Sequence, residues 1–206
     1  PHVGGGPGSG PVCVVEKLAP FLPSPRVVKE GDTYRLVEDL PQSIGKMHAF
    51  YGNFGIQVRA YSYILSLGAM LKQVSQYAVL SANYIKARLK GVYHLAYDRP
   101  CMHECVFSDK LLEPYKVSTL DVAKRLMEKG FHPPTIYFPL VVHGSIMIEP
   151  TESESKEDID VFIDAMIQVA AEAKENPDML HVAPTITKVR RMDETAAARN
   201  PCLSGC

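Results

Sequence analysis

Apolar residues recur at helical spacing in some stretches of this chain and in short continuous runs in others, and the two patterns predict different elements. After the turn-like Gly52-Asn53-Phe54-Gly55, the residues Ile56, Ala60, Tyr63, Ile64 and Leu67 keep a 3.6-residue period. That period predicts a long helix bent or ended at Gly68. A second helix is predicted over 69–90, with Leu71, Val74, Ala78, Ser81, Ile85 and Leu89 on one stripe, Lys72, Lys86 and Arg88 away from it, and Gly91 as its stop. Short apolar runs predict strands at Glu104 to Ser108 and Ser145 to Glu149. Between them Ser118-Thr119-Leu120-Asp121 supplies a capping-box start for a helix ending at Lys129-Gly130. Hydroxyls and carboxylates over Thr151 to Ser155 then open a helix whose apolar face is Ile159, Phe162, Ile163, Met166, Val169 and Ala173.

The flanks are less periodic. Pro20 to Pro25 is proline-rich, and the extended candidates Arg26 to Val28 and Thr33 to Val37 around Glu30-Gly31-Asp32 predict a surface hairpin. From Asn176 onward the chain is expected to be broken by Pro177 and Pro184, to carry a charged patch over 189–194, and to pack on another surface. Strands and helices that alternate after residue 91 argue for an α/β or α+β lobe. The organisation expected is an arm and the end of a larger domain over 1–50, connecting helices over 51–90, and a small α/β domain with its tail over 91–206.

Composition narrows the function classes. The 206 residues are 46% hydrophobic and 22% charged, as in globular domains, and 22 Lys and Arg against 23 Asp and Glu leave a net charge of −1. There is no electrostatic case for nucleic acid or an acidic membrane surface, and no apolar run reaches the roughly 18 residues of a membrane helix. The five cysteines match no paired zinc pattern, and a reducing cytoplasm is their expected home. Cys101, His103 and Cys105 form a C-x-H-x-C cluster that on an extended segment would share one face, but no fourth ligand is in view.

The chain opens on Pro1-His2-Val3-Gly4-Gly5-Gly6-Pro7-Gly8-Ser9-Gly10, followed by the apolar run Pro11 to Val15. Such glycine density reads first as a flexible arm, and it also lets backbone approach a ligand closely. An interior His-Val, two prolines and a start without methionine look like the downstream part of a longer polypeptide. The run is not a nucleotide loop, because no Lys-Ser or Lys-Thr closes it and it leads into an extended segment rather than a helix. No G-x-S-x-G occurs, and Ser145 beside His143 has no third partner that sequence can place. The residues alone assemble no complete catalytic constellation.

Several separated segments nevertheless carry a resemblance. The opening Pro1 to Val12, Asn83-Tyr84-Ile85, His103-Glu104, Asp121 to Leu126 with Gly130 to Thr135, Met147 to Glu154, and Val189 to Glu194 together resemble the glycine decarboxylase P-protein family of the glycine cleavage system, in its two-subunit form, subunit 2. The resemblance covers nearly the whole chain. It implies the C-terminal small domain of a pyridoxal-phosphate enzyme of the aminotransferase-type fold (fold type I), which decarboxylates glycine and passes the aminomethyl group to the lipoyl arm of H-protein. Glycine, lipoylated H-protein and subunit 1 are the partners it implies. In the family the Schiff-base lysine lies in a His-Lys-Thr-Phe motif just upstream of the glycine-rich run. This sequence lacks that motif, and its nearest lysines are Lys17, Lys29 and Lys46. The expectation is a chain that does not catalyse the reaction alone, with a non-catalytic assembly module as the alternative.

Carried over by position, His2, Gly4, Gly5, Gly6 and Gly8 would line the cofactor pocket, while Val3 stands where the family usually has another glycine. His103 would open a strand facing the cleft, with Glu104 beside it. Arg190 or Arg191 would offer a guanidinium fork to the glycine carboxylate, against the plainer fate of an ion pair with Asp193 or Glu194.

Overall fold

A computed structural model describes residues 8–47 and 52–203 of the protein. The chain divides into two compact units, Pro1–Gly68 and Ala69–Cys206, so the second long helix groups with the C-terminal unit.

In the first unit a 3-10 turn over Glu16–Phe21 precedes the predicted hairpin, strands β1 (Arg26–Glu30) and β2 (Thr33–Val37). Their antiparallel register runs from Arg26 opposite Val37 to Glu30 opposite Thr33, and Gly31 takes the left-handed corner at φ +61°. Polar side chains tie the passage together: Arg26 Nη1 donates to Ala19 O at 2.7 Å, and the Ser43 hydroxyl to Leu22 O at 2.8 Å. Helix α1 (Phe54–Leu67) starts where Asn53 caps it, its Oδ1 accepting from the Ile56 N–H, and ends at Gly68, φ +51°. The helix is where its period predicts, yet none of its residues is buried. No described residue of this unit is buried at all.

The second unit has a core. Helix α2 (Leu71–Leu89) is followed by β3 (His94–Leu95), β4 (Cys105–Ser108), α3 (Thr119–Glu128), β5 (Thr135–Ile136), β6 (Ser145–Ile148), α4 (Lys156–Glu175), α5 (Pro177–Val182) and α6 (Glu194–Arg199). The strands form one antiparallel sheet in the order β3-β4-β6-β5. Alternation along β4 and β6 turns Cys105, Phe107, Ile146 and Ile148 to one face. There they join Ile85 and Leu89 of α2, Val122 and Leu126 of α3, and Ile163 and Met166 of α4 in one buried cluster. Each such side chain gains about 1.5–3 kcal/mol from burial before entropy is counted. Tyr93 lies inside the cluster, edge-on to Phe107 at 6.4 Å, and satisfies its hydroxyl on Met166 O at 2.9 Å.

Local signals explain the helix starts. Ser118 and Asp121 form the expected capping box, and Ser155 caps α4 by accepting from the Asp158 N–H at 3.0 Å. One expectation is corrected: Pro177 does not break the tail but occupies the first turn of α5, where its missing N–H costs nothing.

Polar links lock the helices. Arg125 grips Glu172 with two bonds, Nε at 2.8 Å and Nη2 at 3.1 Å, and its Nη1 holds Glu128, joining α3 to α4. Glu128 also accepts from the N–H and hydroxyl of Thr185, and its side chain is only 4% exposed. Burial opposes its charge, but the bonds from Thr185 and Arg125 win and hold its carboxyl at about 2. At the sheet's end the Thr119 N–H donates to Asp109 Oδ2 at 2.9 Å, and the Thr119 hydroxyl donates to Gly144 O at 2.6 Å. Gly144 sits at φ +59°, and a Cβ there would stand 1.9 Å from Asp109 Oδ1, so only glycine fits.

Candidate functional site

The β4–β6 ladder presents polar groups at both of its ends. Beyond the Cys105–Ile148 end, His103 precedes β4 and Glu149 follows β6, and the ladder brings His103 Nε2 to 4.0 Å from Glu149 Oε1. That distance is an electrostatic pairing rather than a hydrogen bond. His103 is 56% exposed and Glu149 27%, so the pair is open to a ligand. An imidazole beside a carboxylate can hold or move a proton at Nε2, or meet a carboxylate when protonated. Glu104, half-buried, lies between His103 and the strand. Thr151, at φ +56°, and Ser153 then bring their hydroxyls to 2.9 Å, just ahead of the Ser155 cap.

At the Ser108–Ser145 end, cross-strand pairing sets His94, Ser108 and Ser145 in one row across β3, β4 and β6. Directly opposed residues share a face of the sheet. A cleft of about 290 Å³ opens here, its polar lining made of His94, Tyr97, Ser108, Lys110, Glu113 and His143. Ala96, Val141 and Val142 close its apolar side. Sequence reasoning missed this cleft. The one signal was Ser145 beside His143, and only the sheet supplies their neighbours.

The residues singled out from the sequence fall in different places. His2, Gly4, Gly5 and Gly6 lie outside the described residues. Gly8 is exposed, and a Cβ on it would meet nothing within 4 Å. Neighbouring Ser9 accepts a hydrogen bond from Gln57 Nε2 at 3.2 Å. The described residues therefore do not themselves enclose the cofactor pocket that the resemblance assigns to the glycine-rich run. Arg190 is exposed and makes no hydrogen bond or ion pair among the described residues.

Arg191 is the bound arginine, and its partner is not Asp193 or Glu194. Its Nη2 lies 2.7 Å from Asp121 Oδ1, and it donates to Ala183 O and Leu180 O at 2.8 Å each. Asp193 instead caps α6. Burial opposes ionisation of Asp121, but bonds from Ser118 and Arg191 outweigh it and hold its carboxyl below the usual range. Arg191 thus pins the tail to the start of α3 within this unit.

The C-x-H-x-C cluster is dispersed. The chain bends at Met102 and His103, so the extended geometry that would align the three side chains is absent. Cys105 is turned into the core, where burial pushes its thiol up to about 12, and the Cys101 backbone is clamped by Asn83 through bonds of 2.7 and 3.1 Å. Among the described residues no three His, Cys, Asp or Glu side chains are placed to hold a metal. No described helix is long and apolar enough to cross a membrane.

Fold and sites together define a small mixed helix–strand domain, a helix-backed antiparallel sheet with accessible polar groups at both ladder ends. Residues 74–185, all within the second unit, match the family model for the glycine dehydrogenase C-terminal domain, and the chain belongs to that family. It is 59% identical over 204 residues to the probable glycine dehydrogenase (decarboxylating) subunit 2 of Staphylococcus epidermidis, covering 98% of this chain and 41% of that protein. The proteins of the same name from Halalkalibacterium halodurans and Chlorobium chlorochromatii are each 57% identical, covering 98% and 97% of this chain and 42% of theirs. The chain thus spans about two-fifths of the length of the curated relatives it matches.

Proposed function

We propose that this chain supplies the C-terminal part of a pyridoxal-phosphate-dependent glycine decarboxylase of fold type I, the P-protein of the glycine cleavage system, acting in the cytoplasm. The observation that carries this reading is 59% identity across 98% of the chain to a glycine dehydrogenase subunit 2. Its partners are glycine, subunit 1 and the lipoylated H-protein that receives the aminomethyl group. When bound, pyridoxal phosphate supplies the electron sink for the charge left as carbon dioxide departs.

The chain's own groups have narrower tasks in this reading. The glycine-rich run with His2, Gly4, Gly5, Gly6 and Gly8 lines one side of the cofactor. The accessible His103–Glu149 pair holds a proton at the imidazole and orients a bound carboxylate. Arg190, with no partner of its own among the described residues, offers its guanidinium fork to a carboxylate. The 206 residues hold no His-Lys-Thr-Phe motif, so in this reading the Schiff-base lysine is supplied from outside them.

Pyridoxal phosphate added to the 206-residue chain, followed by borohydride and intact mass, should leave no stoichiometric single adduct. Joined to a segment carrying the lysine motif and mixed with subunit 1 and lipoylated H-protein, the chain should release carbon dioxide from glycine. Within that assembly, His103→Gln should reduce turnover at least about a hundredfold, the lower end for loss of a positioned acid–base group. A stoichiometric adduct on the chain alone, or no glycine-dependent release from the assembly, would overturn the proposal. An assembly role without chemistry is the second reading, favoured by the unburied α1. It predicts a complex with subunit 1 but no release.

A further inference from the structure

We propose that the cleft at the Ser108–Ser145 end of the sheet is a binding site for a small oxyanion of the carboxylate or phosphate class. The site is separate from the His103–Glu149 pair, which lies at the other end of the same ladder. Its lining is rich in donors: Lys110, His94, His143, Tyr97 and Ser108 can all donate, and only Glu113 is restricted to accepting when ionised. A surface with that inventory complements a ligand made of acceptors. A cation is the poorer match, since no three metal-ligating side chains converge among the described residues.

Two further observations point to an occupant. The side chains of His94, Lys110, Glu113 and His143 make no hydrogen bond or ion pair with the described residues, although all four line one cleft. Ser145 is fully buried directly opposite Ser108, and its hydroxyl has no hydrogen-bond partner among the described residues. An unsatisfied buried hydroxyl costs stability, and this one stands on the same face of the sheet as Ser108, which lines the cleft, one strand behind it. The volume of about 290 Å³ sits at the lower edge of small-molecule sites and is ample for a small oxyanion with its bridging waters.

Glu113 gives the proposal a signed test, because its charge opposes an anion and would favour a cation or an ammonium group. The imidazole resonances of the 206-residue chain are followed at pH 7 while inorganic phosphate or, separately, acetate is added. Saturable shifts of the His94 and His143 signals are expected. Lys110→Gln should weaken binding about fivefold and Glu113→Gln should tighten it about threefold, the size of single exposed charge contacts. Response to both anions assigns a general oxyanion site, and response to phosphate alone assigns a phosphate site. Both side chains are on the surface of the cleft, so both variants should keep the parent's far-ultraviolet circular dichroism. The proposal is overturned if neither anion gives saturable shifts, if Lys110→Gln binds as the parent does, or if Glu113→Gln weakens binding.

Discussion

Helices α1 and α2 lie in different units and teach different lessons. Both carry apolar residues at helical spacing, and α1 is the more apolar along its length. Yet α2 buries Ala78, Ala82, Ile85 and Leu89, while α1 buries nothing and exposes Phe54, Tyr61 and Leu65. What separates them is a partner layer. From residue 78 onward α2 lies along β4 and α4, whose side chains complete a shared core. Apolar period builds a helix, but only a second apolar surface converts it into stability.

The sharpest way to break this contrast is to truncate one large side chain on each side of it. Phe107→Ala should lower unfolding stability by about 3–5 kcal/mol, whereas Ile64→Ala on α1 should stay within about 0.5 kcal/mol. Both are read from urea unfolding, and equal losses would mean that α1 belongs to the cooperative core.

Next in size is a glycine pair. Gly144→Ala forces a Cβ into Asp109 at a positive φ and should cost about 2–4 kcal/mol. Gly8→Ala, with open space around it, should change the melting temperature by less than the error of the scan.

Glu128→Gln should cost about 1.5–3 kcal/mol by weakening its bonds to Arg125 and Thr185. Its carboxyl sits at about 2 in the folded state against an ordinary 4.5. The stabilisation is therefore present in full above about 4.5 and is lost as pH falls through about 2. Stability measured down that range should decline more steeply in the parent than in the variant. Equal slopes would remove Glu128 from the acid response. The smallest effect is expected from Ser118→Ala, about 1 kcal/mol from the capping box, visible as a small drop in the urea midpoint.

Several elements are legible from neighbouring residues. The hairpin turn at Gly31 in the first unit, and the capping box at Ser118 and the stripe from Ile159 to Ala173 in the second, each signal within a few positions, and each element stands where that signal sets it. The two-residue edge strands β3 and β5 are not legible, because pairs such as His94–Leu95 carry no period and become strands only by pairing with β4 and β6. The tail is another case. Nothing near Arg191 announces a partner 70 positions earlier in Asp121, so an ion pair with its own neighbours was the natural reading.

Site chemistry divides along the same line. His103 and Arg190 were singled out by resemblance and are accessible in the structure, but the partner of His103, Glu149, depends on the register that sets Cys105 opposite Ile148. The cleft with His94, Lys110 and His143 was invisible because its residues come from three segments that only the sheet and its loops gather.

The sequence by itself determined the four longest helices, the caps at Ser118 and Ser155, and the family, because each of these is written in contiguous residues. Tertiary structure alone decided which apolar faces are buried, which arginine is committed to the fold, and which polar side chains meet at the two ends of the ladder. Those outcomes rest on strand register and on contacts between residues far apart in the chain, where the free energy comes from surfaces meeting rather than from local preference.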